Sequence, residues 1–154
     1  MSAAGIGWDS HRLEQGRPLV LGGVVIPGAE RGLVGWSDAD VLTHAVIDAL
    51  LGAAGLGDIG QHFPDTDERW RDANSIELLS AVRDMLPAPA AHVDATVICE
   101  APKLGPHRDA MRARLADALG LEPEAVNVKF TTGEGMGFVG RGEGIAALAV
   151  ATLA

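Results

Sequence analysis

The chain alternates between two hydrophobic periodicities, and this alternation limits its fold more than any other feature of the sequence. Helical spacing runs from Val41 to Ala53, where apolar residues recur at i, i+4, i+5 and i+8. Strand-like alternation runs from His92 to Glu100, and Ala125 to Thr131 is a further strand candidate. Single helices of this length cover about one face of a sheet. The pattern therefore predicts an α/β sandwich of one sheet and one layer of helices.

Turn and cap signals place the boundaries of these elements. Gly22-Gly23 predicts a hairpin or a bulge, and Ser37-Asp38 is expected to cap the first helix. The other predicted elements are a strand end at Gly5–His11, a helix from Asn74 or Ser75 to about Leu86, a helix from Pro106 to about Leu119, and loops at Asp58–Asp72 and Gly133–Gly144. The last apolar run, Ile145–Leu153, fits either a strand or a buried helix, because its periodicity does not distinguish them.

Composition narrows the class of protein. The 154 residues predict a single domain, residues 1–154, and a net charge of −9 argues against a protein that binds the nucleic-acid backbone. One cysteine allows no intramolecular disulfide, so a cytoplasmic location is expected. Neither a signal peptide nor a run of 18 apolar residues is visible, so no membrane partner is expected. A hydrophobic fraction of 47% and a mean hydropathy of +0.17 favour an oligomer.

Three residues could form a metal site. Asp9 and His11 point the same way if their segment is extended, and His44 lies on the long predicted helix. One carboxylate and two imidazoles would leave a fourth position open, as in a catalytic or substrate-binding zinc site. Spacing alone also allows a surface His11 and a simply hydrogen-bonded His44. Asp40 and Asp48, one turn to either side of His44, are either solvated or supporting groups.

Two polar segments could meet a phosphorylated substrate. Phe63–Asp67 is either a mobile lid or an exposed turn. The hydroxyls and backbone N–H groups of Thr131–Glu134 could hold phosphate oxygens, and the Glu134 carboxylate suits Mg²⁺. Arg141, between glycines, and Lys103, just past a strand end, could bind anions, or they could be solvated charges.

Six motifs together indicate a family. They are D-S-H, W-S-D-A-D-V-L-T-H, D-A-L-L-G-A-A-G-L-G-D-I-G, F-P-D-T-D, A-P-K-L-G-P-H and G-R-G-E-G-I. In this order and spacing, between Gly5 and Leu153, they closely resemble the 2-C-methyl-D-erythritol 2,4-cyclodiphosphate synthases of the non-mevalonate isoprenoid pathway. The resemblance implies one mixed β-sheet with helices on one face, a homotrimer with the sheets around the threefold axis, and a strand for the last apolar run.

The resemblance also implies an activity. The 2-phosphate of 4-diphosphocytidyl-2-C-methyl-D-erythritol 2-phosphate would attack the β-phosphate, forming a cyclic diphosphate and releasing CMP at sites between subunits. By analogy, Asp9, His11 and His44 would bind Zn²⁺, and Glu134 would help to hold Mg²⁺ or Mn²⁺. An isoprenoid diphosphate in the central cavity is a further ligand that the family suggests.

Most remaining site residues follow only from this resemblance. Thr132 corresponds to a threonine proposed to stabilise the transition state. The substrate-binding set that the resemblance implies is Ser10, Ser37, Asp48, Asp58, Ile59, Gly60, Phe63, Pro64, Asp65, Thr66, Asp67, Cys99, Glu100, Ala101, Pro102, Lys103, Leu104, Gly105, Thr131, Gly133, Phe138 and Arg141.

The sequence departs from the family pattern at three positions. Trp36 stands where a catalytic histidine is usual; it keeps one N–H donor but carries no positive charge. Gly133 and Gly135 replace a threonine and a lysine, which predicts a looser loop. Two other functions therefore stay open: a non-catalytic trimer that binds a metal and an isoprenoid diphosphate, and a metallo-phosphoesterase that uses water as the nucleophile.

Overall fold

The structure of the protein, a computed structural model, describes residues 3–154. Its strands are β1 (Ala4–Gln15), β2 (Val20–Leu21), β3 (Val24–Val25), β4 (Arg31–Val34), β5 (Ala90–Ile98), β6 (Val126–Thr131) and β7 (Gly144–Leu153). Five of them form one sheet in the order β4-β1-β7-β5-β6, and β2 and β3 form the predicted separate hairpin. Only the β5–β6 pair of this sheet is parallel, so the sheet is mixed. The last apolar run is a strand.

The helices lie on one face of the sheet, which confirms the predicted fold class. They are α1 (Val41–Ala54), α2 (Ile59–His62), α3 (Ser75–Met85), α4 (Arg108–Leu119) and α5 (Gly137–Gly140). Short 3₁₀ turns occupy Glu68–Trp70, Gly105–His107 and Pro123–Ala125. Helix α1 lies against β1 and β7, α4 lies against β6, and α3 packs on both helices. Most of α1 is buried, because the sheet covers one side of it and α3 packs on another.

Two glycines of β1 set the position of α1. Residues 5, 7, 9 and 11 point to the same side of the strand. A Cβ at Gly5 would lie 2.0 Å from the Ala49 carbonyl oxygen, and one at Gly7 would lie 1.9 Å from that of Ala45. Glycine at both positions therefore lets the helix backbone approach the strand directly. The next two residues on this side of β1 are Asp9 and His11.

The N-terminus of α1 corrects one prediction. Its cap is Asp40, and neither Ser37 nor Asp38 has that role. The buried Asp40 carboxylate accepts from Thr43 N at 3.0 Å and Thr43 Oγ1 at 2.7 Å, and also from Gly22 N at 2.9 Å and Gly23 N at 2.7 Å. It therefore joins the helix to the β2–β3 hairpin. Burial raises the pKa of Asp40 although these hydrogen bonds oppose the rise.

The other boundaries follow the predicted signals closely. Asn74 caps α3, and Gly55 and Gly120, both with positive φ, end α1 and α4. Two segments predicted as loops contain helical turns: Asp58–Asp72 includes α2 and a 3₁₀ turn, and Gly133–Gly144 includes α5. These helices are too short to produce a periodic pattern in the sequence.

The face of the sheet that carries no helix is apolar along β1 and β7. Ile6 pairs with Val150 and Trp8 with Leu148, and these four side chains are 67%, 43%, 51% and 36% exposed, respectively. Polar side chains of β5 and β6, Asp94 and Lys129 among them, continue the same face. Such an exposed apolar patch is typical of a protein interface. Within residues 3–154, no helix has both the length and the apolar character needed to cross a bilayer.

Candidate functional site

Asp9, His11 and His44 converge between β1 and α1. Asp9 Oδ2 lies 2.9 Å from His11 Nε2 and 3.0 Å from His44 Nδ1. One carboxylate oxygen and two ring nitrogens lie within 4.8 Å of one another, as the ligands of a metal ion do. The close approach of α1 to Gly5 and Gly7 brings His44 over the two residues that follow them in β1.

The hydrogen bonds of His11 determine which of its nitrogens is free. Its Nδ1 lies 2.9 Å from the Val34 carbonyl oxygen, which can only accept, so Nδ1 carries the proton. Its Nε2 is buried, and the one polar atom near it is Asp9 Oδ2 at 2.9 Å, which is an acceptor as well. In the neutral ring this nitrogen therefore presents a lone pair toward Asp9, as a metal-bound histidine would.

His44 is held by a chain of side chains. Ser75 Oγ lies 2.7 Å from His44 Nε2, and its hydroxyl donates to Asp38 Oδ1. Because a carboxylate only accepts, the Ser75 oxygen is left to accept the proton of His44 Nε2. Ser37 Oγ, 3.2 Å from the same nitrogen, is a second contact. The lone pair of His44 thus lies on Nδ1, facing Asp9.

This donor set fits a divalent cation. Two ring nitrogens without protons and a carboxylate oxygen repel one another unless a positive charge lies among them. Without a metal, a proton can supply that charge. Burial alone would raise the pKa of Asp9, but the hydrogen bonds and charges of His11 and His44 lower it to about 2. Burial disfavours a charged His44, yet its hydrogen bond to Asp9 and the charge of Asp9 raise its pKa.

A pocket of about 420 Å³ opens beside the three residues. Its walls bring several predicted site residues together with the triad: Trp36, Ser37, Ile59, Gly60, Phe63, Pro64 and Asp65. Sequence reasoning missed Gly35, Leu78 and Trp70, which also line it. The Trp70 ring packs edge-on against Phe63 at 5.0 Å between centroids, and its Nε1 is buried without a partner. Together with Ile59 and Leu78, these rings give the pocket an apolar wall that suits a carbon skeleton.

Trp36 is joined to the segment that follows the pocket. Its indole Nε1 donates to the Asp67 carbonyl at 3.1 Å, and its own carbonyl accepts from Asp72 N at 2.8 Å. The Arg71 guanidinium lies 5.4 Å from the ring centroid. The single N–H donor of the Trp36 side chain is thus already used within the protein.

A second pocket of about 330 Å³ lies where β5 and β6 end. It is lined by most of the predicted nucleotide-side residues: Cys99, Glu100, Pro102, Lys103, Leu104, Gly105, Thr131 and Thr132, with Pro106, Arg108 and Phe130 in addition. Burial raises the pKa of the Cys99 thiol to about 11, so it is not a nucleophile. Asp9 and Phe130 share one row across the sheet through Ala147 and Val97. Three strand spacings, about 14 Å, therefore separate the backbone of Asp9, beside the first pocket, from that of Phe130, beside the second, in one chain.

The remaining predicted residues lie around these two pockets. Asp48 accepts from Ile59 N at 2.8 Å and ties α1 to α2, and Asp58 caps α2. Ser10 and Phe138 line a small depression beside His11, and Arg141 pairs with Glu143 at 3.4 Å. Thr66, Asp67, Ala101 and Gly133 do not line either pocket. Asp67 instead pairs with Arg69, which lowers the pKa of Asp67.

Two important residues gave no functional signal in the sequence. The sequence patterns mark Ser75 only as a possible start of a helix and Asp38 only as a possible cap of α1. Ser75 contacts His44, which lies 31 residues away in the chain, and Asp38, which lies 37 residues away. A serine that orients a histidine has no local pattern, so only the packing of α3 against α1 shows it.

Residues 2–154 match the model of the YgbB family. The chain is 59% identical over 153 residues to the 2-C-methyl-D-erythritol 2,4-cyclodiphosphate synthase of Symbiobacterium thermophilum, and the match covers 97% of each chain. It is 59% identical over 152 residues to the protein of the same name from Salinibacter ruber, covering 97% of this chain and 96% of that one. A solved structure of a 2C-methyl-D-erythritol-2,4-cyclodiphosphate synthase in its CDP-bound form has a TM-score of 0.87 and 40% identity, covering 96% of this chain and 97% of the other.

Proposed function

This chain belongs to the YgbB family, and we propose that it converts 4-diphosphocytidyl-2-C-methyl-D-erythritol 2-phosphate into 2-C-methyl-D-erythritol 2,4-cyclodiphosphate and CMP. The observation that carries this proposal is the triad of Asp9, His11 and His44 beside a pocket with an apolar wall. The fold and nearly the full length of the chain are shared with synthases of that name.

The reaction closes a ring without consuming water. An oxygen of the 2-phosphate forms a bond to the β-phosphorus, and the bond from that phosphorus to the oxygen bridging the α-phosphate breaks. CMP leaves with the bridging oxygen and its electron pair. Both partners are anions, so catalysis depends on positioning and charge neutralisation, and it needs no nucleophilic side chain.

The residues divide between two charge centres. Asp9, His11 and His44 would hold one divalent cation, which we assign as Zn²⁺ from the mixed oxygen and nitrogen ligands. Glu134 would hold Mg²⁺ or Mn²⁺, which prefer oxygen ligands and phosphates. When bound, these cations neutralise the phosphate charge that opposes the attack. Thr132, at the rim of the second pocket, would hold a phosphoryl oxygen as charge develops there.

The separation of the two pockets supports a site shared between copies of the chain. Within one chain the triad and Thr132 lie too far apart to touch the same pair of phosphates. We infer a homotrimer whose bare sheet faces surround the threefold axis, with Ile6, Trp8, Leu148 and Val150 covered there. The triad pocket of one copy would then face the Thr131–Glu134 side of its neighbour. The methylerythritol would lie against Ile59 and Phe63, and the cytidine against residues 99–105.

Other assigned roles rest on the family alone. Substrate contacts from Ser10, Asp48, Thr66, Arg141 and Phe138 stay predictions, as does an isoprenoid diphosphate in the central cavity. Direct catalysis by Trp36 is disfavoured, because its N–H is donated to Asp67.

The direct test is CMP release from the diphosphocytidyl substrate by the purified chain with Zn²⁺ and Mg²⁺. Phosphorus NMR identifies the product, and a chelator-treated sample is the control. We expect a cyclic diphosphate and CMP in equal amounts, with both lost on chelation. A linear product would indicate hydrolysis by water, and no CMP from a folded, metal-loaded protein would contradict the proposal.

A further inference from the structure

The backbone amides of the turn after β6 form an anion-binding hollow that the chain fills itself. The Gly133 N–H donates to Glu100 Oε1, and the Gly135 N–H donates to Glu100 Oε2 at 3.3 Å. Between them, the Glu134 N–H donates to Thr132 Oγ1 at 3.1 Å. Successive amides of this kind usually bind phosphate or another external anion. Here all three already have a partner within the protein.

The position of Glu100 follows from the strand pairing. Strands β5 and β6 are parallel, so both end at the same edge of the sheet, and Cys99 N continues their pairing by donating to the Thr131 carbonyl at 2.9 Å. Glu100 is the next residue and is partly buried beside the turn. Its two carboxylate oxygens accept from different glycines, Oε1 from Gly133 and Oε2 from Gly135, so one side chain bridges the turn.

The turn has a strained backbone that needs such support. Glu134 has φ of +54° although it carries a side chain, and Gly135 has φ of +74°. Gly133 packs so closely that a Cβ there would lie 2.7 Å from Gly140 N and 2.8 Å from the Met136 carbonyl oxygen. These contacts argue against the looser loop that was predicted from Gly133 and Gly135. Gly133 permits close packing, and the Glu100 carboxylate accepts from the amides of both glycines.

We propose that Glu100 is a positioning residue whose carboxylate occupies the amide hollow and thereby presents Thr132 to the substrate phosphates and Glu134 to the divalent cation that it would hold. This inference rests on the proposed function, because it assigns the turn to the phosphate side of that site. It replaces two sequence-based expectations. The turn amides do not bind substrate phosphate, and Glu100 does not contact the nucleotide through its carboxylate.

The first test needs no activity. Amide hydrogen exchange at Gly133 and Gly135 is compared in wild type, Glu100→Ala and Glu100→Gln, with the exposed Glu124→Gln as the matched control. Losing two bonds to a charged acceptor should speed exchange at both glycines by about 10- to 100-fold in Glu100→Ala. Glu100→Gln keeps one acceptor oxygen, so it should affect one glycine more than the other. Unchanged exchange in Glu100→Ala would overturn the proposal, even if the cyclase activity proves correct.

The second test separates positioning from substrate contact. If Glu100 acts through the turn, Glu100→Ala should lower kcat by about 10- to 100-fold and raise the Mg²⁺ concentration for half-maximal rate, while KM for the diphosphocytidyl substrate changes little. Added formate should restore part of kcat by refilling the hollow, whereas chloride at equal ionic strength should not. A raised KM with normal kcat, or no rescue by formate together with wild-type exchange, would show that Glu100 contacts substrate instead. If wild type releases no CMP at all, the cyclase proposal fails and the exchange result still decides the role of Glu100.

Discussion

The metal triad and the Thr131–Gly135 turn hold their functional groups in opposite ways. The triad lies on a long strand and a buried helix, and each histidine is fixed by a hydrogen bond on its far nitrogen. The turn lies on exposed backbone with a positive φ, and one carboxylate, that of Glu100, holds two of its amides. Buried ligands with several supports tolerate the loss of one support, whereas an exposed turn that depends on one residue does not.

The largest effect is therefore expected when a ligand of the triad is removed rather than one of its supports. His44→Ala removes one of three ligands from a site that already has an open position, so bound zinc should fall from about one ion per chain to nearly none. CMP formation should fall by at least about 10³-fold, because neutralisation of the phosphates is then lost. Elemental analysis of the purified variant gives the metal content, and circular dichroism checks that it is folded.

His107→Ala is the matched control, since His107 lies in the 3₁₀ turn before α4 and is not part of the triad. It should retain its metal. Full zinc occupancy in folded His44→Ala would contradict the assignment of the triad.

A smaller effect is expected from the support of His44. Ser75→Ala removes the acceptor of the His44 Nε2 proton but leaves all three ligands and the 3.2 Å contact with Ser37. Metal affinity should therefore fall by about 10- to 100-fold without being lost. Competition with a chelator of known affinity measures it, and the visible spectrum of the Co²⁺-loaded protein reports ligand geometry.

Ser80→Ala, on the same helix but outside these contacts, is the comparison variant. If Ser75→Ala binds zinc within twofold of wild type, the serine does not orient His44, and Ser37 is sufficient.

The same contrast explains what could be predicted from the sequence. The D-x-H spacing and the helical period from Val41 to Ala53 depend on local geometry, so they place Asp9 and His11 on one side of a strand and His44 on a helix. Their convergence depends on the packing of α1 against β1 and did not follow from spacing. The capping of α1 by Asp40, with its bonds to Gly22 and Gly23, depends on where the hairpin packs. The preference for aspartate at the N-terminal cap does not distinguish Asp40 from Asp38, because both precede the helix closely.

Contacts between residues that lie far apart in the chain could not be predicted from the sequence, for the same reason. Ser75 meets His44 only because α3 packs on α1, and Glu100 meets Gly133 only because β5 and β6 are parallel neighbours. The resemblance assigned Glu100 to the substrate, but it gave no information about which way the carboxylate turns.

The smallest expected effect concerns the two indoles near the triad pocket. Trp36→Phe removes a single hydrogen bond, from Nε1 to the Asp67 carbonyl, and keeps an aromatic ring beneath Arg71. One such bond is worth about 1 kcal/mol, so amide exchange at Asp72, whose N–H donates to the Trp36 carbonyl, should rise by roughly 2- to 10-fold. Trp70→Phe removes an indole N–H that has no partner and should leave that rate nearly unchanged, because no hydrogen bond is lost. Equal rates in the two variants would mean that the aromatic ring alone, and not the N–H of Trp36, holds residues 67–72 beside the pocket. A larger rise in Trp70→Phe would instead locate the support of this segment in the contact between Trp70 and Phe63.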